Sequence, residues 1–595
     1  MTDALQHRGP DGEGHWCNAA QQVALGHRRL SVIDLSAAAA QPMHYLQRYT
    51  IVHNGEIYNY LELRSTLEQH GYRFQSASDT EVICAAYDFW KAECLQMFDG
   101  MFAFALWDEK EKLLFAARDR FGEKPLLYHF DGQQLLFASE FKALWAAGVP
   151  KAWNHLLLLS YLANGHTQNA IDASLTFYKD IFAVPPGHYL TYNLQRSTLC
   201  VNLYWDLDKQ TQKKYTEAEA IDTFRQLFTE SVQLRLRADV PVGTSLSGGV
   251  DSSSVVAAIA NLPSYGNIVS SSFTAIFPGF SKDEQQFAAS VAAKFSMHHH
   301  TVAPTDTDLI RDFEKLCWHQ EQPFSSASVY AQYRVMQLAK SHNIKVLLDG
   351  QGADEILAGY PRYIHWYLQE LLGKFKYGFA MQERIRLQQN GIPFSWGFPN
   401  YMAAIFPMIA TAQLEEVERK KILVHPHLHP DYIHAHYDQL YSVHKSPVSK
   451  LNDILYFNTM QQGLGELLHY ADRNSMAHGI EIRLPFLSHT LVELLFSLPA
   501  QYKMHNGYPK WLLREAMKDQ LPENIVWRTD KVGFEPPQQQ WMQEVPLVEM
   551  IMESRRSLVK EGILKQQVET VPVIAKAAYA ADQYDWRYLC AAQYC

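Results

Sequence analysis

Ser245-Leu246-Ser247-Gly248-Gly249-Val250-Asp251-Ser252-Ser253 follows an extended apolar segment with Val240, Val242 and Leu246, and precedes an apolar run over 255–260. That order predicts strand, glycine-rich turn, helix. Gly248 and Gly249 let the backbone approach a bulky anion, and the N–H groups opening the next helix point toward it with the positive end of the helix dipole. Ser247, Ser252 and Ser253 add hydroxyl donors. Asp251 would repel a phosphate directly but suits a divalent cation held against it. The loop therefore predicts a nucleotide with magnesium, although the GxxxxGK[ST] pattern of the common phosphate loop is absent. Its bland alternative is a serine-glycine turn opening an ordinary helix.

The run resembles the pyrophosphate loop of the ATP pyrophosphatases, which adenylate an acyl group and release pyrophosphate. A second loop of the same kind follows an apolar segment over 344–348: Asp349-Gly350-Gln351-Gly352-Ala353-Asp354-Glu355, then Gly359-Tyr360. Both loops are expected at the carboxyl ends of strands in one parallel sheet, where ligands bind. Asp251 and Asp354 could then share the magnesium that bridges the ATP phosphates.

The pair of loops resembles asparagine synthetases. The segments Asp472 to Ala477, Glu481 to Leu487, Lys510-Trp511-Leu512-Leu513-Arg514 and Arg528 to Phe534 agree with that family. The resemblance implies that Lys531 steadies phosphate charge during adenylation. It also implies that backbone groups near Ser245, Leu246, Ala275, Asp349 and Gly350 hold AMP, and that Tyr360 is catalytic. Gln351 departs from the family, which often carries a glutamate there. Gln351 cannot accept a proton as a carboxylate does, so a base would have to be Glu355, Tyr360 or substrate phosphate.

Ahead of the linker-like stretch 206–214, short apolar runs at 23–25, 49–52, 101–107, 113–117, 134–139 and 188–192 predict antiparallel strands, with helices over 60–70 and 79–91. His7-Arg8-Gly9-Pro10-Asp11-Gly12, Arg29, Asn54-Gly55-Glu56 and Asp79 resemble the glutaminase domain of class II amidotransferases. The resemblance implies that Arg29 holds the glutamine carboxylate and Asp79 its amino group. It further implies an oxyanion hole from Asn54 and Gly55, with Glu56 on the same binding turn. The family's nucleophile is an N-terminal cysteine ahead of this turn. Cys17 follows the turn and does not take that role, so glutamine hydrolysis by this chain is not expected.

The expected fold is an α+β domain over 1–205, a truncated N-terminal-nucleophile sandwich of antiparallel sheets. An α/β domain of ATP-pyrophosphatase type follows over 216–595, with a parallel sheet like that of adenine nucleotide alpha hydrolases and a helical C-terminal part. Thr216 and Glu219 predict a capping box opening the second domain. A single core helix is expected over 452–469, and His298-His299-His300 reads as a strand or loop edge rather than a metal site.

A net charge of −10 argues against a nucleic-acid partner. No apolar run reaches membrane-spanning length, and a cytoplasmic location is the default expectation. Seven cysteines without CxxC spacing indicate neither a disulfide framework nor a zinc site. The resemblance implies asparagine biosynthesis from aspartate, ATP and glutamine or ammonia, and leaves room for a homodimer. Competing readings are an amidotransferase or cyclase acting on another carboxylate, and a non-catalytic nucleotide-binding partner. Intact Asp251, Asp354 and Lys531 weigh against the last.

Overall fold

Alternation of side chains along Tyr49–Ile57, Gly100–Asp108 and Leu113–Arg118 builds the N-terminal part. Ile51, Phe104, Leu106 and Phe115 face one way, onto the helices Tyr60–Gln69 and Asp79–Trp90. Val52, Ala103, Ala105, Trp107 and Leu114 face the other way, onto a second apolar layer with Leu25 and Leu126. A period-two pattern apolar on both faces demands cover on both. The computed structural model, which describes residues 1–263, 269–437, 448–530 and 534–595, supplies that cover around a six-stranded antiparallel sheet. Its strand order is Thr198–Leu203, His188–Asn193, Leu113–Arg118, Gly100–Asp108, Tyr49–Ile57, Met43–Tyr45. The hairpin Gly12–Cys17 with Ala24–Arg29 lies outside this sheet and brings Leu25 to its second face.

The C-terminal part starts at the helix Glu217–Arg235, where the Thr216 and Glu219 side chains cap each other's backbone N–H. Five parallel strands follow: β1 (Val242–Ser245), β2 (Val269–Ala275), β3 (His298–Val302), β4 (Val346–Leu348) and β5 (Glu481–Arg483). They are ordered β3-β2-β1-β4-β5. Strand order reverses between β1 and β4, and the crevice beyond their carboxyl ends is where such sheets bind ligands. The two glycine loops leave those two ends. The histidine triplet is edge strand β3, with His299 Nδ1 3.0 Å from Ser272 Oγ.

One expectation fails. Residues 452–469 are not a single helix: Leu451–Tyr456 runs into a π-helical turn, Phe457–Gln461, and a new helix, Leu464–Met476, starts after Gly463 at φ +113°. Gly463 takes the positive φ that the break needs, and the N-terminal part packs close on the new helix, where a Cβ at Gly465 would lie 2.4 Å from the Gln168 Nε2 atom.

A buried ion network joins the two parts. Arg8 Nη1 donates to Glu140 at 2.8 Å and to Asp472 at 2.7 Å, and Arg8 Nη2 donates to Asp472 at 2.9 Å. Arg473 adds Glu321 at 3.1 Å, and Lys142 reaches Glu140 at 2.5 Å. Burial raises the Asp472 carboxyl, but the Arg8 guanidinium outweighs it and holds the group at about 2. Among the described residues no helix is long and apolar enough to cross a membrane.

Candidate active site

The two glycine loops meet. A Cβ on Gly350 would lie 2.8 Å from Ser252 N and 3.0 Å from the Asp251 carbonyl carbon, so only glycine permits this approach. Ser245 Oγ donates to Asp349 at 2.7 Å, bridging the ends of β1 and β4. Asp349 in turn accepts the Gln351 N–H at 3.1 Å, while its own N–H donates to Arg483 O at 3.0 Å. The first loop is also tied internally, Ser247 Oγ lying 3.2 Å from Ser252 Oγ.

Asp251 and Asp354 converge, and the cation between them is a lysine. Lys510 Nζ donates to both Asp251 oxygens, at 2.8 and 2.7 Å, and lies 2.5 Å from Asp354 Oδ1. Lys510 is buried and takes a left-handed backbone conformation, φ +56°, costly for a residue with a Cβ. Such strain persists where surrounding structure over-determines it. Glu383 accepts the Asn506 and Gly507 N–H groups at 3.1 Å each and so fixes the hairpin that delivers Lys510. No local pattern marks this lysine, because its partner Asp251 lies 259 residues earlier.

Gly359 keeps the clasp open to Asp354. A Cβ there would fall 1.9 Å from Asp354 Oδ1 and 2.1 Å from Lys510 Cε. Gly359→Ala is therefore expected to fold, since the clash is with side-chain ends, but to lower ATP turnover by about a hundredfold through a displaced clasp. Retention of wild-type ATP–pyrophosphate exchange would show that the clasp is dispensable.

Tyr360 Oη donates to Glu355 Oε1 at 2.7 Å, and Glu355 Oε2 is buried without a hydrogen-bond partner among the described residues. Burial and the neighbouring Asp354 charge push the Glu355 carboxyl up to about 7, while burial drives the Tyr360 hydroxyl well above its usual range. Gln351 Oε1 is likewise buried and unpartnered. Among the implied AMP-binding groups, the Leu246 backbone is already engaged. Its N–H donates to Phe273 O at 3.0 Å, and its carbonyl accepts from Thr274 Oγ1. Ser253 Oγ is buried and has no hydrogen-bond partner among the described residues, and Ala275 ends β2 beside Val302. Lys531 lies outside the described residues.

In the N-terminal part, Arg29, Asn54, Gly55, Glu56 and Asp79 line one cavity of about 230 Å³. Asn54 Nδ2 is a buried donor without a hydrogen-bond partner among the described residues. Arg29 is held by the Ser36 carbonyl at 2.9 Å and by the Asp34 carbonyl. Asp79 accepts the Ile57 N–H at 2.8 Å, yet burial pushes its carboxyl up to about 6. Glu56 is buried 3.7 Å from Arg483, which reaches in from β5 of the other part. Among the described residues no cysteine lines this cavity, and Cys17 is exposed on the hairpin. A second cavity, about 110 Å³, lies between the parts against Gln168, Gln322, Thr459, His469 and Arg473.

The chain thus has two parts, one holding a polar cavity and the other two glycine loops at a strand-reversal crevice. Family models agree: a glutamine amidotransferase domain matches residues 1–205, and asparagine synthase matches residues 223–589. The chain belongs to the asparagine synthase family. It is 31% identical over 556 residues to asparagine synthetase [glutamine-hydrolyzing] 1 of Bacillus subtilis (strain 168), covering 91% of this chain and 84% of that protein. Asparagine synthetase [glutamine-hydrolyzing] 3 of the same organism is 30% identical, covering 89% and 82%. Amidase chry2 of Gibberella zeae is 28% identical, covering 91% and 84%.

Proposed function

We propose that the chain adenylates the side-chain carboxylate of aspartate with ATP and couples it to ammonia, giving asparagine, AMP and pyrophosphate. What supports this most is the convergence of Asp251, Asp354 and Lys510 on the junction of two glycine loops at the strand-reversal point. A carboxylate oxygen attacks the α-phosphorus, the bond to the bridging oxygen breaks, and pyrophosphate leaves. Lys510 would turn from the two carboxylates toward the departing phosphates, and Lys531 would add a second positive charge. Two carboxylates already gathered around one ammonium fit a magnesium ion, which takes one or two carboxylates plus phosphate oxygens. Bound there by Asp251 and Asp354, magnesium would supply neutralisation of phosphate charge.

In the second step ammonia attacks the acyl carbon, its N–H proton passes to Glu355 Oε2, and AMP leaves. Glu355 rather than Tyr360 suits the base, because the tyrosine keeps its proton and donates it to Glu355 Oε1. Glutamine would bind at Arg29, Asp79, Asn54 and Gly55. The nitrogen source proposed here is ammonia from solution.

A second reading, amidation of a different carboxylate, draws on the uncharged Gln351 at the loop tip and on the amidase among the relatives. The test is ATP–pyrophosphate exchange with and without aspartate, followed by amide formation from ammonia or glutamine. Aspartate-stimulated exchange and ammonia-dependent asparagine are expected. Exchange with other acids but not aspartate would favour the second reading, and glutamine-driven turnover would refute the solution-ammonia clause. At a fixed concentration of free ammonia, amide formation should rise with pH through about 7 as Glu355 loses its proton. Glu355→Gln should abolish that limb while sparing exchange, and a limb that survives would remove Glu355 as base.

A further inference from the structure

Arg362 is exposed at the rim of the site, next but one to Tyr360. Its guanidinium carbon lies 4.9 Å from the centre of the Tyr360 ring and 5.4 Å from that of Tyr363, and Nη2 donates to Asn458 Oδ1 at 3.1 Å. Asn458 is buried in the π-helical turn Phe457–Gln461, and its Nδ2 donates to Ile454 O at 2.8 Å, which leaves Oδ1 facing the arginine. Such turns recur at functional sites. Two rings and one buried amide thus fix the plane of the guanidinium, while most of its fork of N–H donors stays open. Among the described residues no carboxylate forms an ion pair with it.

We propose that Arg362 binds the second carboxylate of a diacid substrate, the one that is not adenylated, which in aspartate is the α-carboxylate. This role rests on the adenylation reading above and adds a recognised far end to the acid. Asp251, Asp354 and Glu355 gather at the loop tips, and Lys510 is already engaged by two of them. A dianionic acid approaching these carboxylates is repelled unless a cation meets its far end. A planar fork held against aromatic faces loses little freedom when a carboxylate docks on it through two parallel hydrogen bonds. The reach also agrees. A four-carbon diacid with a contact of about 3 Å at each end spans roughly 10 Å, enough to run from Glu355 across the Tyr360 ring to the guanidinium.

ATP–pyrophosphate exchange by the full chain, driven by aspartate or by its α-amide, tests the assignment, with circular dichroism as the fold control. The α-amide keeps the side-chain carboxylate and removes the anion at the other end. The wild type is expected to prefer aspartate by about 30- to 100-fold in kcat/KM. Arg362→Gln should raise the KM for aspartate by a similar factor while kcat, the KM for ATP and exchange on the α-amide stay within about threefold, so the preference collapses. Arg362→Lys, which keeps the charge and loses the fork, should fall between. An Arg362→Gln protein with the wild-type KM for aspartate overturns the assignment and leaves adenylation of aspartate standing. A parallel loss of exchange on the α-amide overturns it too, as does a wild type that uses both acids equally or prefers an acid with one carboxylate. Exchange driven by another diacid but not by aspartate, and weakened by Arg362→Gln, refutes aspartate as substrate and upholds Arg362. If no acid stimulates exchange, both fall.

Discussion

Lys510→Met is expected to reduce ATP–pyrophosphate exchange by about 100- to 1,000-fold, the usual loss when one preorganised charge is taken from a transition state. The same substitution should destabilise the nucleotide-free protein by about 3 kcal/mol, because Asp251 is left buried without its cation. Methionine keeps the length and the apolar stem, so packing loss contributes little. The freed pair of carboxylates should also take up magnesium in the absence of nucleotide, seen as a larger magnesium-induced rise in Tm than in the wild type. Exchange within tenfold of wild type would exclude Lys510 from the phosphate step.

Arg8→Leu is expected to cost about 3 kcal/mol of stability, since Asp472 and Glu140 lose the guanidinium they share inside the junction of the two parts and keep Arg473 and Lys142. Adding Asp472→Leu should recover part of that loss, and the coupling measured by the double-mutant cycle should exceed about 1 kcal/mol. The pH dependence follows from the depressed Asp472 carboxyl. Its contribution, about 2 kcal/mol, is fully present above about pH 4, where the unfolded carboxyl is ionised. It is lost as pH falls toward 2, where the folded carboxyl takes its proton. The Arg8→Leu protein should therefore show a flatter stability profile between pH 4 and 2. An unchanged acid limb would mean that Arg8 does not set the Asp472 titration.

Much of the fold could be read in advance because its signals are local. Phe104, Ala105 and Leu106 alternate between two apolar layers, and that alternation is written in consecutive residues. Thr216 and Glu219 stand three apart and cap one helix end. The 452–469 region could not be read, because its apolar pattern fits a helix. The break falls at Gly463, whose positive φ no apolar pattern announces. The site divides the same way. Asp251 and Asp354 announced themselves through the glycine loops around them. Lys510 stood in a segment of family likeness without a role, since an isolated lysine before Trp511 has no pattern to betray it.

Residue order alone was sufficient for the two glycine loops, the strands they leave and the cavity-lining Asn54-Gly55-Glu56 triplet, although the triplet lies in a strand and not in the expected turn. Each depends on side chains within a few positions of one another, where sterics and hydrogen bonding act regardless of the remaining chain. Folding in three dimensions was needed to bring Lys510 between two carboxylates and Arg8 onto Asp472. A charge's partner is whatever lies within a few ångströms, and chain separation says nothing about that distance.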